Sequence, residues 1–393
     1  MQALRSRRWA VSWPADGTKS RERQFAEEYA RYHDVPYCVS VDHGSSALVV
    51  ALEALDIGPG DEVVVPNLTW VAPVTAVLRV GALPVLADVD PRSGCLTPET
   101  AAAAMSERTK AIIVVHLACT VADLDGLCAM AEGAGVPLIE DAAQAHGAQW
   151  RGRKVGTFGR IGAFSFQVGK VLAGGEGGAV ITSDPEIHLR AQLLRADSRR
   201  YADGPVPVAA MELRPDPLVM GTNYCMSELT AGVLLDRLPH LDDENAHRAK
   251  MADELSAGLA ALDGVGVVPV PDAVDLRSVY EFGVRFEPDT FGGVPVERVA
   301  EAVSAELEMA VWAPSTPLHR SHMVRPETKR RFAAVWTESG RRRAVGRDYP
   351  GAERYRETTV LFYHRALLGD EHDMADIVAA VGKVLTRRRD LIG

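Results

Sequence analysis

The feature that most limits what this chain can fold into is a series of short runs, apolar on both faces, that alternate with helical patterns. YCVSV (37–41) precedes a helix beginning near Ser45, and EVVVP (62–66) precedes a helix through Val71 to Val80. LPVLADV (83–89) leads to TPETAAAAM, AIIVVHL (111–117) leads to DLDGLCAMAEGAG, and VPLIEDA (136–142) closes the series. Strands that are apolar on both faces and alternate with helices predict a mostly parallel sheet covered on both sides, an α/β fold. Ligands of such sheets bind at the carboxyl ends of the strands, so chemistry is expected there.

After Asp184 the pattern turns to long helical segments, notably from Met226 to about Leu262, with a Pro-Val-Pro turn at 269–271. VYEFGVRF (279–286) and its neighbours then mix short strands with helices. The expected division is a large domain with an N-terminal arm over 1–245 and a smaller α+β C-terminal domain over 246–393.

Composition narrows the function classes. A formal charge of -10 argues against a nucleic-acid or membrane-surface role, which needs a net positive face. Arg341-Arg342-Arg343 and Arg387-Arg388-Arg389 are expected to be solvated helix faces. The apolar stretch near the start is broken at Trp13-Pro14-Ala15-Asp16 before a signal core could form, and no run approaches a membrane span. Five scattered cysteines form no close pair of the zinc-site kind, so no metal is expected, and a cytoplasmic chain with reduced thiols is.

The stretch FSFQVGKVLAGGEGGA (164–179) sets one of only seven lysines among apolar and glycine neighbours. The other six sit beside charges, in turns or on polar helix faces. A buried lysine has a depressed pKa and becomes nucleophilic near neutrality, as Schiff-base chemistry requires. The alternative is a lysine that reaches a phosphate, although GGEGG lacks the ending of a nucleotide-triphosphate loop. Asp141 ends the strand VPLIEDA, where a carboxylate could pair with a pyridinium nitrogen or cap the next turn. DHGSSAL (42–48) runs from a glycine turn into a helix, a phosphate cup or an ordinary cap. Trp70 in PNLTWVAP could stack on a flat ring or fill a core.

Taken in order, GSS, PNLTWVAP, EDAAQAHGA (140–148), FSFQVGK, GEGGAVITSD and TNYCMSEL (222–229) resemble the DegT-type sugar aminotransferase family over nearly the whole chain. The resemblance implies the pyridoxal-phosphate fold type I, like aspartate aminotransferase, with pyridoxal 5′-phosphate as cofactor. It implies that Lys170 holds the cofactor as a Schiff base and serves as base and acid, and that Asp141 pairs with the ring nitrogen. It further assigns Gln144 to the phenolic oxygen, Trp70 to the ring face, and Ser45, Ser46 and Ser165 to the phosphate. Asn223 reaches that phosphate from the partner of a homodimer with shared active sites. His146 is expected to support its turn, and Ser227 with Glu228 to cap the following helix.

Within the family, LRSRRWAVS, NYCMSEL, LLDRLPHLDDEN and PLHRS (317–321) are similar to glutamine-dependent aminotransferases of aminocyclitol antibiotic pathways. That likeness implies L-glutamine as donor and scyllo-inosose or 2-deoxy-scyllo-inosose, cyclic polyhydroxy ketones, as acceptor. Gly169, the Ala118-Cys119-Thr120 step and His43 depart from that pattern. The alternatives are a keto-sugar nucleotide acceptor or an aminobenzoate-type product. A dehydrase of the same family would carry histidine in place of Lys170.

Overall fold

A computed structural model describes residues 2–391 of the chain. The apolar runs become strands β1 (Tyr37–Val41), β2 (Glu62–Pro66), β3 (Leu83–Ala87), β4 (Thr109–Val115) and β5 (Leu138–Asp141). A short hairpin, β6 (Gln149–Trp150) and β7 (Arg153–Lys154), separates these from β8 (Ile161–Ser165) and β9 (Gly178–Thr182). Seven strands form one sheet in the order β1-β9-β8-β5-β4-β2-β3. Pairing is parallel from β3 to β8, and β9 runs antiparallel to both its neighbours. β2, β3 and β9 are buried at every position, as strands covered on both faces must be. This is the mostly parallel α/β architecture expected from the sequence.

The helical stretch after Met226 is broken by Pro239. Its missing N–H ends the helix Glu228–Arg237 in a short tight turn, Leu238–His240, before the helix Leu241–Leu259 begins. The expected domain division at 245/246 falls inside this second helix. A small hairpin, β10 (Arg199–Tyr201) and β11 (Leu213–Pro215), lies earlier in the chain. After the long helix come β12 (Val265–Val267), β13 (Val274–Leu276), β14 (Glu281–Phe286), β15 (Val311–Trp312) and β16 (Thr359–Tyr363). Four of them form an antiparallel sheet in the order β12-β14-β16-β15, while β13 turns back to pair with β6.

The basic runs behave differently from one another. Arg387, Arg388 and Arg389 are exposed, as are Arg341 and Arg342 on their helix. Arg343 is a correction: its Nη2 lies 2.7 Å from Glu62, a carboxylate otherwise buried at the start of β2, and also donates to the Ala104 carbonyl. A run of like charges hides one residue that faces the core from two that do not. Among the described residues no helix is long and apolar enough to cross a membrane.

Candidate active site

A cavity of about 470 Å³ opens between the carboxyl ends of the large sheet and the second sheet, and Lys170 and Asp141 both line it. Lys170 lies in the turn that links β8 to β9. Its N–H donates to the Gln167 carbonyl at 2.8 Å, and the carbonyl of Gly169 accepts from the Tyr363 hydroxyl at 2.5 Å. The His364 ring nitrogen Nε2 lies 3.2 Å from the same carbonyl, so β16 and the residue after it hold the lysine turn from the far side. The Lys170 amine sits 4.2 Å from the centre of the Tyr280 ring and has no hydrogen-bond partner among the described residues. Burial lowers its proton affinity below the ordinary lysine range, with the Asp141 and Glu281 carboxylates opposing. A larger share of free amine near neutrality follows.

Asp141 ends β5, flanked in register by Val115 of β4 and Ala163 of β8. One carboxyl oxygen accepts from the Ala143 N–H at 3.1 Å. Burial raises its pKa, against the Ala143 N–H, Lys170 and His116, so a cationic ring nitrogen would be a welcome partner. Gln144 donates nothing to the protein; its Oε1 accepts from the Ala118 N–H at 2.7 Å, leaving its amide N–H groups for another acceptor. Ala118 itself holds a left-handed φ of 60° at the cavity wall.

The helix Gly44–Ala54 begins without a side-chain cap at His43. The first N–H of this segment with a backbone partner is that of Ala47, which leaves the N–H groups of residues 44–46 free for an anion. Gly44 is required by close approach, because a Cβ there would come within 2.5 Å of the Ser165 Cβ. The free donors, the unfilled acceptor positions on Asp141 and the amide of Gln144 fit a flat phosphorylated pyridine.

Six of the expected residues, Ser45, Trp70, Asp141, Gln144, Ser165 and Lys170, line this one cavity. Ser46 and Asn223 do not. Ser46 is buried one residue along the helix. Asn223 is exposed, its Oδ1 accepting from the Cys225 N–H at 3.2 Å. His146 lies sandwiched between Phe164 and Phe166, and its Nε2 contacts the Ser165 carbonyl at 2.8 Å, so it supports the lysine strand as well as its own turn. Ser227 caps its own helix through the Thr230 N–H. Glu228, by contrast, caps another: it accepts from the N–H groups of Arg21 and Glu22, at the start of the helix Arg21–Tyr32. A capping pair read from spacing is in fact one cap for each of two helices.

The sequence reading passed over the opposite wall, which holds Tyr280, Glu281, Trp312, Pro314 and Ser315. Glu281 opens β14, with the Trp312 indole N–H 3.2 Å from its Oε1. Burial pushes its carboxyl up to about 7, against Lys170 and the Trp312 hydrogen bond. The available signal was a lone acid inside an aromatic strand, VYEF. The loop carrying Pro314 and Ser315 is fixed by the buried Asn67, whose backbone and side chain bind Leu318 and His319.

A sequence profile of the DegT/DnrJ/EryC1/StrS aminotransferase family matches residues 10–345. The chain is 46% identical over 393 residues to an L-glutamine:2-deoxy-scyllo-inosose aminotransferase of Micromonospora echinospora, covering 100% of this chain and 92% of that protein. It is 44% identical over 388 residues to an L-glutamine:scyllo-inosose aminotransferase of Streptomyces griseus, covering 99% and 91%. The crystal structure of 3-amino-5-hydroxybenzoic acid synthase matches with a TM-score of 0.82 at 30% identity, over 98% of this chain and 94% of that one.

Proposed function

We propose that this chain, which belongs to the DegT/DnrJ/EryC1/StrS aminotransferase family, moves the amino group of L-glutamine onto a cyclic polyhydroxy ketone of the scyllo-inosose or 2-deoxy-scyllo-inosose type. The observation that carries the reading is full-length identity of 44–46% to several proteins with those names. Fold type I and pyridoxal 5′-phosphate dependence come with the family. When bound, that cofactor supplies an aldehyde that captures amines and a ring that takes up an electron pair.

The residues divide the work. Lys170, kept partly unprotonated by burial, bonds the cofactor, and once displaced by the donor its Nζ removes the α proton and returns it to the neighbouring carbon. Asp141 holds a proton on the ring nitrogen. Gln144 offers its amide N–H to the phenolic oxygen, and Trp70 covers the ring. Ser45, Ser165 and the free N–H groups at the helix start hold the phosphate. The working unit is a homodimer in which Asn223 is given to the partner's site; its exposure, away from its own cavity, supports that assignment.

The test separates the two half-reactions. L-Glutamine alone should discharge the yellow colour of the loaded enzyme and release its 2-oxo acid. Scyllo-inosose or its 2-deoxy analogue should restore the colour with formation of an amino-cyclitol. Colour restored by keto-sugar nucleotides and by neither inosose would overturn the acceptor.

A further inference from the structure

The roles above leave one carboxylate of the cavity without a task. Glu281 is fixed in place from several directions: its own N–H and that of Tyr280 both point to the Ala118 carbonyl, at 3.3 and 3.0 Å, and in register it faces Tyr363 of β16. Trp312 satisfies Oε1. The other carboxyl oxygen has no hydrogen-bond partner among the described residues, and Glu281 lines the cavity.

The charge pattern of the wall is unusual for a site that must receive amino acids. No arginine lines the cavity; the lining cations are Lys170 and, if protonated, His43, against the acids Asp141, Glu176 and Glu281. Lys170 is committed to the reaction. A side-chain carboxylate arriving here would therefore meet Glu281 out of water, with no spare cation between them. A carboxamide N–H or a hydroxyl would instead give Glu281 the hydrogen bond it lacks.

We infer that Glu281 is the specificity-determining acceptor of this site, taking hydrogen bonds from the carboxamide of L-glutamine in one half-reaction and from ring hydroxyls of the cyclic ketone in the other, and excluding L-glutamate. The inference rests on the reaction proposed above. It explains how one cavity serves two dissimilar substrates: each brings an uncharged end that donates hydrogen bonds.

The groups that face Glu281 are Lys170 from the lysine turn, Tyr280 beside it, Tyr363 on β16, Tyr355 on the helix Pro350–Thr358, and Cys119 after β4. Burial raises the pKa of the three tyrosines and of Cys119, so they stay neutral, and Lys170 is the charged neighbour. As pH rises through about 7, Glu281 ionises and the bias against L-glutamate should grow.

The test follows the donor half-reaction of the loaded enzyme by loss of colour, with L-glutamine and with L-glutamate, from about pH 6 to about pH 8.5. The wild type should prefer L-glutamine, increasingly so at higher pH. Glu281→Gln should narrow that preference by roughly tenfold or more and flatten its pH dependence, with cofactor loading unchanged. An unchanged ratio, or an equal loss with both donors, overturns the inference and leaves the reaction standing. A loaded wild type that L-glutamine leaves yellow overturns the proposed reaction, and the inference falls with it. If Glu281→Gln does not load cofactor, Trp312→Phe decides by the same ratio: it removes the hydrogen bond that fixes the carboxylate, and the preference should narrow, though less. An unchanged ratio in that variant counts against the inference.

Discussion

The two walls of the cavity are built by different rules. The wall from the large sheet places Asp141 at the end of a parallel strand, Lys170 in the turn between β8 and β9, and Ser45 at a helix start. Each of these positions is set by the local backbone. The wall from the second sheet places Glu281 and Trp312 by antiparallel pairing among strands up to about eighty residues apart in sequence. Its residues meet because β14 and β15 both lie beside β16. The first wall carries groups that any reaction of this class needs, and the second carries groups that meet the variable part of a substrate.

That contrast predicts a graded set of losses. Lys170→Ala should abolish covalent attachment, read as absence of a borohydride-fixed cofactor mass on the peptide carrying residue 170, and lower turnover by about 10⁴-fold or more. The label found on another lysine would remove the first wall from the chemistry altogether. Asp141→Asn should keep the cofactor bound yet slow both half-reactions by about 10²- to 10³-fold, since it loses the charge that holds the ring proton. An effect on the acceptor alone would contradict the division between walls.

Subunit mixing sharpens the comparison further. Lys170→Ala and Asn223→Ala subunits, each nearly inactive, should regain partial activity together, because one hybrid site keeps both native groups. No recovery after verified exchange would place Asn223 outside the neighbouring site. Asn67→Ala acts on the second wall: it strips both side-chain hydrogen bonds from His319 and should cost about 1–3 kcal/mol of stability. Its kinetic mark should be a raised acceptor KM with little change in the donor half-reaction. The smallest effect is expected at Ala118, whose φ of 60° suits glycine better; Ala118→Gly should raise stability by up to about 1 kcal/mol, seen as a slightly higher Tm.

How much was legible in the sequence follows the same line. Lys170 stands out because its neighbours are apolar and glycine, and Asp141 because it ends a recognisable strand; both properties are local. Glu281 could not be read so, because its burial depends on β16 and Trp312, which lie far along the chain. The same holds for Arg343, which looks like part of a solvated run until the fold brings it to Glu62. Glu228 is a third case: its spacing from Ser227 fits a cap, but the helix it caps begins more than two hundred residues earlier. Ser46 shows the limit of motif transfer within a helix, since a turn of 100° per residue carries adjacent side chains to different faces.

The carbonyl of Gly169, held by Tyr363 and by His364, bears on attempts to widen the acceptor range. Redesigning the pocket means repacking β14, β15 and β16, and β16 is also the anchor of the peptide unit just before the reactive amine. Libraries that vary positions 363 and 364 would therefore alter reactivity and recognition in one stroke, and most of their members would score as dead for the wrong reason. Fixing those two side chains, and varying 281, 312 and 315 around them, would let selectivity evolve separately from the chemistry.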